Sequence, residues 1–171
     1  MNMYFIAILL PPEVNEKVLA LKKWMLEKYD CKVGLKSPAH ITLVPPFWME
    51  EEKEEQLIID VEHISREMQP FDAATHDFSC FPPKTIFIAL APNASLEQVK
   101  KTSDQFFSNH PDYKIRIDSR PFHPHITIAT RDFYKRSFQE AWAFFAQKEF
   151  REEWRATGIS ILRHNKKNWD V

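Results

Sequence analysis

Two segments of this chain repeat one short pattern, and this repetition restricts the fold more than any other feature of the sequence. Residues 37–47 read SPAHITLVPPF and residues 120–130 read RPFHPHITIAT. Each contains His-Ile-Thr just after a proline and before an aliphatic residue. With seven histidines in 171 residues, a His-x-Thr triplet is expected only about 0.3 times by chance. Two copies in matching contexts indicate an internal duplication.

The predicted strands occur in the same order in each half of the chain. Apolar runs bounded by turn residues predict strands over residues 4–10, 40–47 and 72–81, and again over 85–91, 123–130 and 156–164. We expect Pro45 and Pro46 to close the second strand, because proline cannot donate a ladder hydrogen bond. Phe5-Ile6-Ala7 corresponds to Phe87-Ile88-Ala89, and His40 to His125, at nearly equal offsets.

Four helices are predicted between these strands from apolar residues at helical spacing. They begin at Pro12, at about residue 51, at Ser95, which serves as an N-cap, and at about residue 134. The last one extends to about residue 149. The apolar faces consist of Val14, Val18, Leu21 and Met25; Leu57, Val61, Ile64 and Met68; Leu96, Val99 and Phe106; and Phe138, Trp142 and Phe145.

The duplication predicts an α+β fold built from two β-α-β-α-β lobes related by a pseudo-twofold axis. The lobes comprise about residues 1–81 and 82–171 of a single domain. Two sheets, rich in antiparallel pairing, are expected to carry the helices outside and to face a central cleft. Residues two apart in a strand share a face, so His40 and Thr42 point together, as do His125 and Thr127. The lobes should therefore bring the two His-Thr pairs face to face.

The composition argues against several classes of function. Only two glycines occur, too few for a phosphate-binding glycine loop. The 23 Lys and Arg nearly balance the 24 Asp and Glu, so no broad cationic surface for a long duplex is expected. Cys31 and Cys80 have no metal-type spacing, which predicts free thiols and a cytoplasmic protein. The opening MNMYFIAILLPP lacks a basic start and a cleavage site and is too short for a bilayer, so we expect a first strand and no membrane partner. We also expect a monomer.

Two histidines across a cleft can divide the roles of general base and general acid, because imidazole titrates near neutral pH. This chemistry suits in-line displacement at phosphorus, where one imidazole deprotonates the nucleophile and the other protonates the departing ribose oxygen. The hydroxyls of Thr42 and Thr127 can donate to the non-bridging phosphate oxygens. The scheme requires neither a metal nor another cofactor.

These residues resemble the signature of the two-histidine (2H) phosphoesterase superfamily, specifically the bacterial 2′-5′ RNA ligase-like proteins. The signature is a pair of H-x-[ST]-x motifs with apolar x, matched here by residues 40–43 and 125–128. The resemblance covers nearly the whole chain. It implies a phosphoesterase that cleaves, or reversibly joins, 2′,5′ or 2′,3′-cyclic phosphodiester bonds, with RNA ends or small nucleotides as partners. It implies His40 and His125 as the catalytic pair.

Several other residues are candidates for substrate binding, each with a structural alternative. Arg131 shares the His125 face if the strand persists, and could complement a phosphate or be a solvated strand end. Phe47 could stack a base or belong to the core. Thr42 and Thr127 could be ordinary strand formers. The sequence HPH could suggest zinc, but no acidic or Cys ligand lies at a typical spacing, so no metal site is expected.

Two functions of other classes use the same residues. A non-catalytic module could bind RNA ends or nucleotides in the cleft without turning them over. A plain interaction domain would have no affinity for phosphate between the motifs. The sequence does not say which histidine is the general base, which substrate is physiological, or whether hydrolysis or ligation matters.

Overall fold

The computed structural model describes residues 1–171 as four helices and eight strands. The helices are α1 (Pro12–Tyr29), α2 (Glu54–Glu67), α3 (Ala94–Asn109) and α4 (Lys135–Phe145). The strands are β1 (Asn2–Leu9), β2 (His40–Met49), β3 (Phe71–Phe81), β4 (Thr85–Leu90), β5 (His125–Thr130), β6 (Glu153–Ala156), β7 (Ser160–His164) and β8 (Trp169–Asp170). Short 3₁₀ helices span Val33–Lys36 and Glu51–Lys53.

The helices begin and end near the predicted positions, with local differences in capping and packing. Pro12 occupies the first turn of α1, where its missing N–H costs nothing, and Asp30 ends the helix in the left-handed region at φ 54°. Asn93, and not the predicted Ser95, caps α3, since its Oδ1 accepts from the backbone N–H of Leu96. On the same helix Phe107 is fully buried, whereas the predicted Phe106 is only partly buried.

The strands form two four-stranded sheets, and every pairing is antiparallel. Sheet one has the order β2-β1-β7-β8, and sheet two has the order β5-β4-β3-β6. The predicted α+β class with two antiparallel sheets is confirmed. The sheets do not follow the predicted halves, however, because β3 lies in sheet two while β7 and β8 return to sheet one. The predicted last strand, residues 156–164, corresponds to β7 in sheet one. β6, which ends at Ala156 and belongs to sheet two, was not predicted.

The second strand continues through its prolines. Pro45 and Pro46 were expected to close it, yet β2 extends to Met49. This is possible because β2 is an edge strand. A proline whose nitrogen faces the open side of an edge strand takes no hydrogen bond away from a neighbouring strand. The register skips at this point, since Tyr4 pairs with Phe47 and Ile6 pairs with Val44.

The duplication is visible in the strand register. His40 pairs with Leu9 of β1, and His125 pairs with Ala89 of β4. Leu9 is therefore the counterpart of Ala89, so the predicted match of residues 5–7 with 87–89 was wrong by two positions. Both strand pairs also carry an irregularity two residues after the His-x-Thr motif, where residues 43–44 and 128–129 are buried in succession.

One hydrophobic core joins the two sheets. α1 packs against β5 and α3 packs against β2, so each helix covers the sheet of the other half. The largest cluster of 24 buried residues includes Ile41 of β2 and Ile126 of β5. Their neighbours in sequence, the two histidines and two threonines of the motifs, point to the opposite side of the sheets. We call this side the cleft face.

Candidate active site

His40 and His125 are the first residues of β2 and β5, and both rings are held in the same way. Nδ1 of His40 lies 2.7 Å from the carbonyl oxygen of Pro38, and Nδ1 of His125 lies 2.7 Å from that of His123. A carbonyl oxygen can only accept, so Nδ1 must carry the proton in both rings. Each Nε2 is therefore left free for proton transfer, the tautomer that a general base requires.

The two histidines lie on strands that adjoin at the junction between the sheets. β2 and β5 are edge strands, and they approach each other with Cα atoms within 8 Å. The imidazoles are close enough for a positive charge on His125 to lower the pKa of His40. The face-to-face pair stays a prediction, and its two histidines come from different sheets.

Both imidazoles favour the neutral state in the free protein. The pKa of His40 is lowered from 6.5 to about 4, chiefly by burial, with the hydrogen bond to Pro38 opposing the shift and the charges of Lys22 and His125 adding to it. Burial also lowers the pKa of His125, to which the neighbouring charge of His123 contributes. A bound anion would reverse these effects by stabilising the protonated rings.

Lys22, which the sequence did not single out, lies behind the first motif. It is 3% exposed on α1, and its Nζ donates to the carbonyl oxygen of Ser37 at 3.0 Å. Burial lowers its pKa to about 8. Helical spacing favoured Leu21 for this face of α1, so the amphipathic pattern alone could not reveal a buried lysine.

The segments that carry the two motifs are tied together behind the cleft. Oδ2 of Asp132, just after β5, accepts from the backbone N–H of Val33 at 2.8 Å and also from that of Lys32. Gly34 lies against the backbone of β5, where a Cβ would be 2.1 Å from the carbonyl oxygen of Ile128. A side chain at this position would push the two motifs apart.

The threonines of the motifs lie on the cleft face next to the histidines. Thr42 pairs with Ala7 and Thr127 pairs with Phe87 in the strand register, and both side chains are partly exposed. Their hydroxyls are thus placed on the same side of the sheets as the imidazoles, as the period-two pattern predicted.

Arg131 does not share the face predicted for it. The irregularity at residues 128–129 shifts the alternation, so Thr130, opposite Thr85, returns to the cleft face instead. The two hydroxyls of Thr130 and Thr85 are 2.7 Å apart. Arg131 follows the strand with a left-handed φ of 68° and an exposed side chain. The parity argument was wrong because it assumed an uninterrupted strand.

Phe47 lies in the core and not in the cleft. It is 7% exposed and packs with Tyr4 beneath sheet one, at a ring-centroid distance of 6.2 Å. The expectation that it stacks a base is therefore corrected to the structural alternative. An odd number of positions separates Phe47 from His40, so alternation puts the two side chains on opposite faces, and the two register irregularities between them offset each other.

Other aromatic rings flank the histidines instead. Phe5 lies 4.8 Å from His40, and Phe87 lies 5.0 Å from His125, between ring centroids. Phe81 lies 5.3 Å from His125. Sequence analysis missed these roles because they depend on which strands pair. Only the register of β1 against β2 and of β4 against β5 would have identified these aromatic neighbours.

No group of three or more His, Cys, Asp or Glu side chains is placed to hold a metal ion, including around the HPH sequence. None of the four helices has the length and apolar character needed to cross a membrane.

Two antiparallel sheets with anchored imidazoles and adjacent threonines on their shared cleft face define the class of two-histidine phosphoesterases. The sequence profile of the 2′-5′ RNA ligase superfamily matches residues 10–168. The chain belongs to this superfamily.

Relatives and solved structures agree with this assignment. A predicted phosphoesterase of Oceanobacillus iheyensis is 29% identical over 126 residues, which cover 74% of this chain and 69% of the relative. The crystal structure of TT0787 of Thermus thermophilus superposes with a TM-score of 0.66 at 20% identity, covering 100% of this chain and 94% of the other. LigT of E. coli, solved with 3′-AMP, gives a TM-score of 0.62 at 20% identity, covering 95% and 87%. At these identities the two structures establish the fold.

Proposed function

We propose that this protein is a metal-independent phosphoesterase that acts on 2′,3′-cyclic or 2′,5′ phosphodiester bonds of RNA ends or small nucleotides. The observation that carries the proposal is the identical anchoring of two imidazoles, each with Nδ1 on a carbonyl and Nε2 free, at the junction of two sheets. Two such groups can serve opposite sides of one phosphorus.

In hydrolysis of a cyclic phosphate, one neutral imidazole takes a proton from water as the water oxygen bonds to phosphorus. The bond from phosphorus to a ribose oxygen breaks, and the other imidazole, protonated, gives its proton to that oxygen. Ligation uses the same proton transfers with a ribose 5′-hydroxyl in place of water: its oxygen bonds to phosphorus, one ribose oxygen of the cyclic phosphate departs and is protonated, and a phosphodiester results.

The threonines supply charge stabilisation in this scheme. The hydroxyls of Thr42 and Thr127 donate to the non-bridging phosphate oxygens, whose negative charge increases in the transition state. A hydroxyl is suited to this role because it can donate without carrying a charge that would lower the imidazole pKa values further.

The comparisons support a nucleotide as substrate. Structures of E. coli LigT are named as complexes with 3′-AMP, with NADP+ and with phosphate. These ligands share a phosphate group, and two of them are nucleotides, as expected for a site that binds phosphate between two imidazoles.

The test is a panel of 2′,3′-cyclic nucleotides, 2′,5′-linked dinucleotides and oligonucleotides with cyclic ends, assayed in chelator with the regiochemistry of the products determined. We expect turnover that persists in chelator and is lost in His40→Ala and His125→Ala. Rescue by zinc or magnesium after chelation would instead indicate metal catalysis. Binding of nucleotides without turnover by the wild type would favour the non-catalytic module.

A further inference from the structure

Each predicted catalytic histidine is the first member of a series of aromatic contacts on the cleft face. From His40 the series continues to Phe5 at 4.8 Å, then to Trp169 at 4.6 Å and to His164 at 4.9 Å, measured between ring centroids. From His125 it continues to Phe87 at 5.0 Å, then to Phe81 at 4.5 Å and to His123 at 5.2 Å.

The inner ring of each series is buried and the outer rings reach solvent. Phe5 and Phe87 are 3% and 0% exposed. Phe81 is 42% exposed, and Trp169 retains partial exposure. The inner rings cannot stack a ligand, because their faces are covered, whereas the outer rings present apolar surface next to the reaction centre.

The similarity of the two series is not a trivial result of the duplication. The register makes Ala7, and not Phe5, the counterpart of Phe87. Trp169 belongs to β8, the fourth strand of sheet one, whereas Phe81 belongs to β3, the third strand of sheet two. Non-equivalent positions thus place a buried phenylalanine against each histidine and a more exposed aromatic ring against that phenylalanine. Phe81 also contacts His125 directly, at 5.3 Å.

The outer rings lie in hairpins whose turns carry unpaired cations. Phe81 ends β3, and Lys84 lies exposed in the turn to β4. Trp169 follows the turn between β7 and β8, which exposes Lys166 and Lys167. These lysines can accompany the phosphates of a nucleic-acid strand.

The hairpin at Trp169 is fixed by side-chain hydrogen bonds. Oδ1 of Asn165 accepts from the backbone N–H groups of Lys167 and Asn168 at 3.0 and 2.7 Å. Its Nδ2 donates to the carboxylate of Asp170 at 2.9 Å. Trp169 is therefore held in place before any ligand arrives, which reduces the entropic cost of stacking on it.

We propose that the two outer pairs, Trp169–His164 beside His40 and Phe81–His123 beside His125, are nucleobase platforms on opposite sides of the scissile phosphate. The preferred substrate is then a diester that joins two nucleosides, such as a 2′,5′ linkage in single-stranded RNA, and not a mononucleotide. Aromatic faces with nearby cations bind single strands by stacking and by charge. This inference rests on the proposed function.

The test compares two diesters of the same chemistry, adenylyl-2′,5′-adenosine and adenosine 2′-(methyl phosphate), in which methyl replaces the second nucleoside. In both, the 3′-hydroxyl loses a proton and bonds to phosphorus, and the departing alkoxide gains a proton. We expect the wild type to prefer the dinucleotide in kcat/KM by roughly 5- to 150-fold, the range that one base–aromatic stack provides.

Two variants assign the platforms. Phe81→Ala and Trp169→Ala should each lower kcat/KM for the dinucleotide, and only one of them should abolish the preference over the methyl ester, since only one platform holds the second base. Phe144→Ala is the matched control, because Phe144 is 39% exposed and stacks on Trp24 in the helical layer. Phe81→Leu and Trp169→Leu keep apolar bulk if the alanine variants do not fold.

The proposal is overturned if the wild type treats the two diesters alike within twofold, or if both variants keep the full preference. Absence of turnover on both diesters would contradict the 2′,5′ part of the proposed function, and the platforms would then be tested by binding alone. The 3′-deoxy forms of both ligands lack the nucleophile, and calorimetric affinities should then show the same preference and the same loss. Equal affinities for the 3′-deoxy dinucleotide and the 3′-deoxy methyl ester would refute the proposal that the outer aromatic pairs bind nucleobases.

Discussion

Replacing His40 by asparagine should make the protein less sensitive to acid, because the native fold disfavours the protonated ring. The pKa of His40 is about 4 in the folded protein, against 6.5 for the free side chain. Protons bind the unfolded chain more readily, so stability from the neutral ring is complete above pH 6.5 and is lost as the pH falls from 6.5 towards 4. An asparagine side chain cannot titrate, so the substitution removes this dependence.

The size of the effect follows from the two pKa values. Between pH 7.5 and pH 4.5, protonation linked to His40 costs the wild type at most about 2.5 kcal/mol, since one pH unit corresponds to about 1.4 kcal/mol. The ring is partly exposed, and solvent access reduces this figure, so we expect about 1–2.5 kcal/mol. For a chain of this length, that is a shift of about 2–10 °C in Tm.

The assay is urea unfolding of the wild type and His40→Asn at pH 7.5 and pH 4.5. At each pH, the free energy of unfolding of His40→Asn is subtracted from that of the wild type. The prediction concerns how much this difference changes between pH 7.5 and pH 4.5. Carboxylates with lowered pKa, such as Asp77, contribute equally to both proteins and cancel. His63→Asn, on the exposed surface of α2, controls for the loss of one imidazole. A difference that is constant within about 0.5 kcal/mol would refute the burial argument.

Three further predictions concern catalysis. First, both imidazole pKa values are lowered in the free protein, so kcat/KM should peak below pH 6.5 and fall about tenfold per unit between pH 7 and 8. The alkaline limb of kcat should lie at higher pH, because the bound phosphodiester anion favours protonated rings; a kcat/KM optimum above pH 8 would contradict this. Second, Thr42→Val and Thr127→Val should each lower kcat about 10- to 1000-fold with little change in Tm. Wild-type rates would show that both residues only form strands and do not stabilise the phosphate charge. Third, one of His40→Ala and His125→Ala, and not both, should recover turnover on a diester with a nitrophenolate leaving group, which needs no proton; the double variant should be little worse than the worse single variant.

The sequence was sufficient for the features that periodicity determines within an uninterrupted strand or helix. The repeated His-Ile-Thr, read with a period of two, placed the histidines and threonines of both motifs on one side of their strands. Helical spacing located the four helices. These features follow from the geometry of a single strand or helix, which neighbouring residues determine.

The properties that the tertiary structure decided depend on pairing between distant segments. The exchange of β3 and β7 between the sheets cannot be read from either half alone. The irregularity after the second motif moved Arg131 off the cleft face and brought Thr130 onto it. Phe47 lies in the core beneath sheet one, which only the packing of that sheet reveals. The aromatic rings beside the histidines and the low pKa of His40 arise from the same assembly, since register and burial are set by contacts that are far apart in sequence.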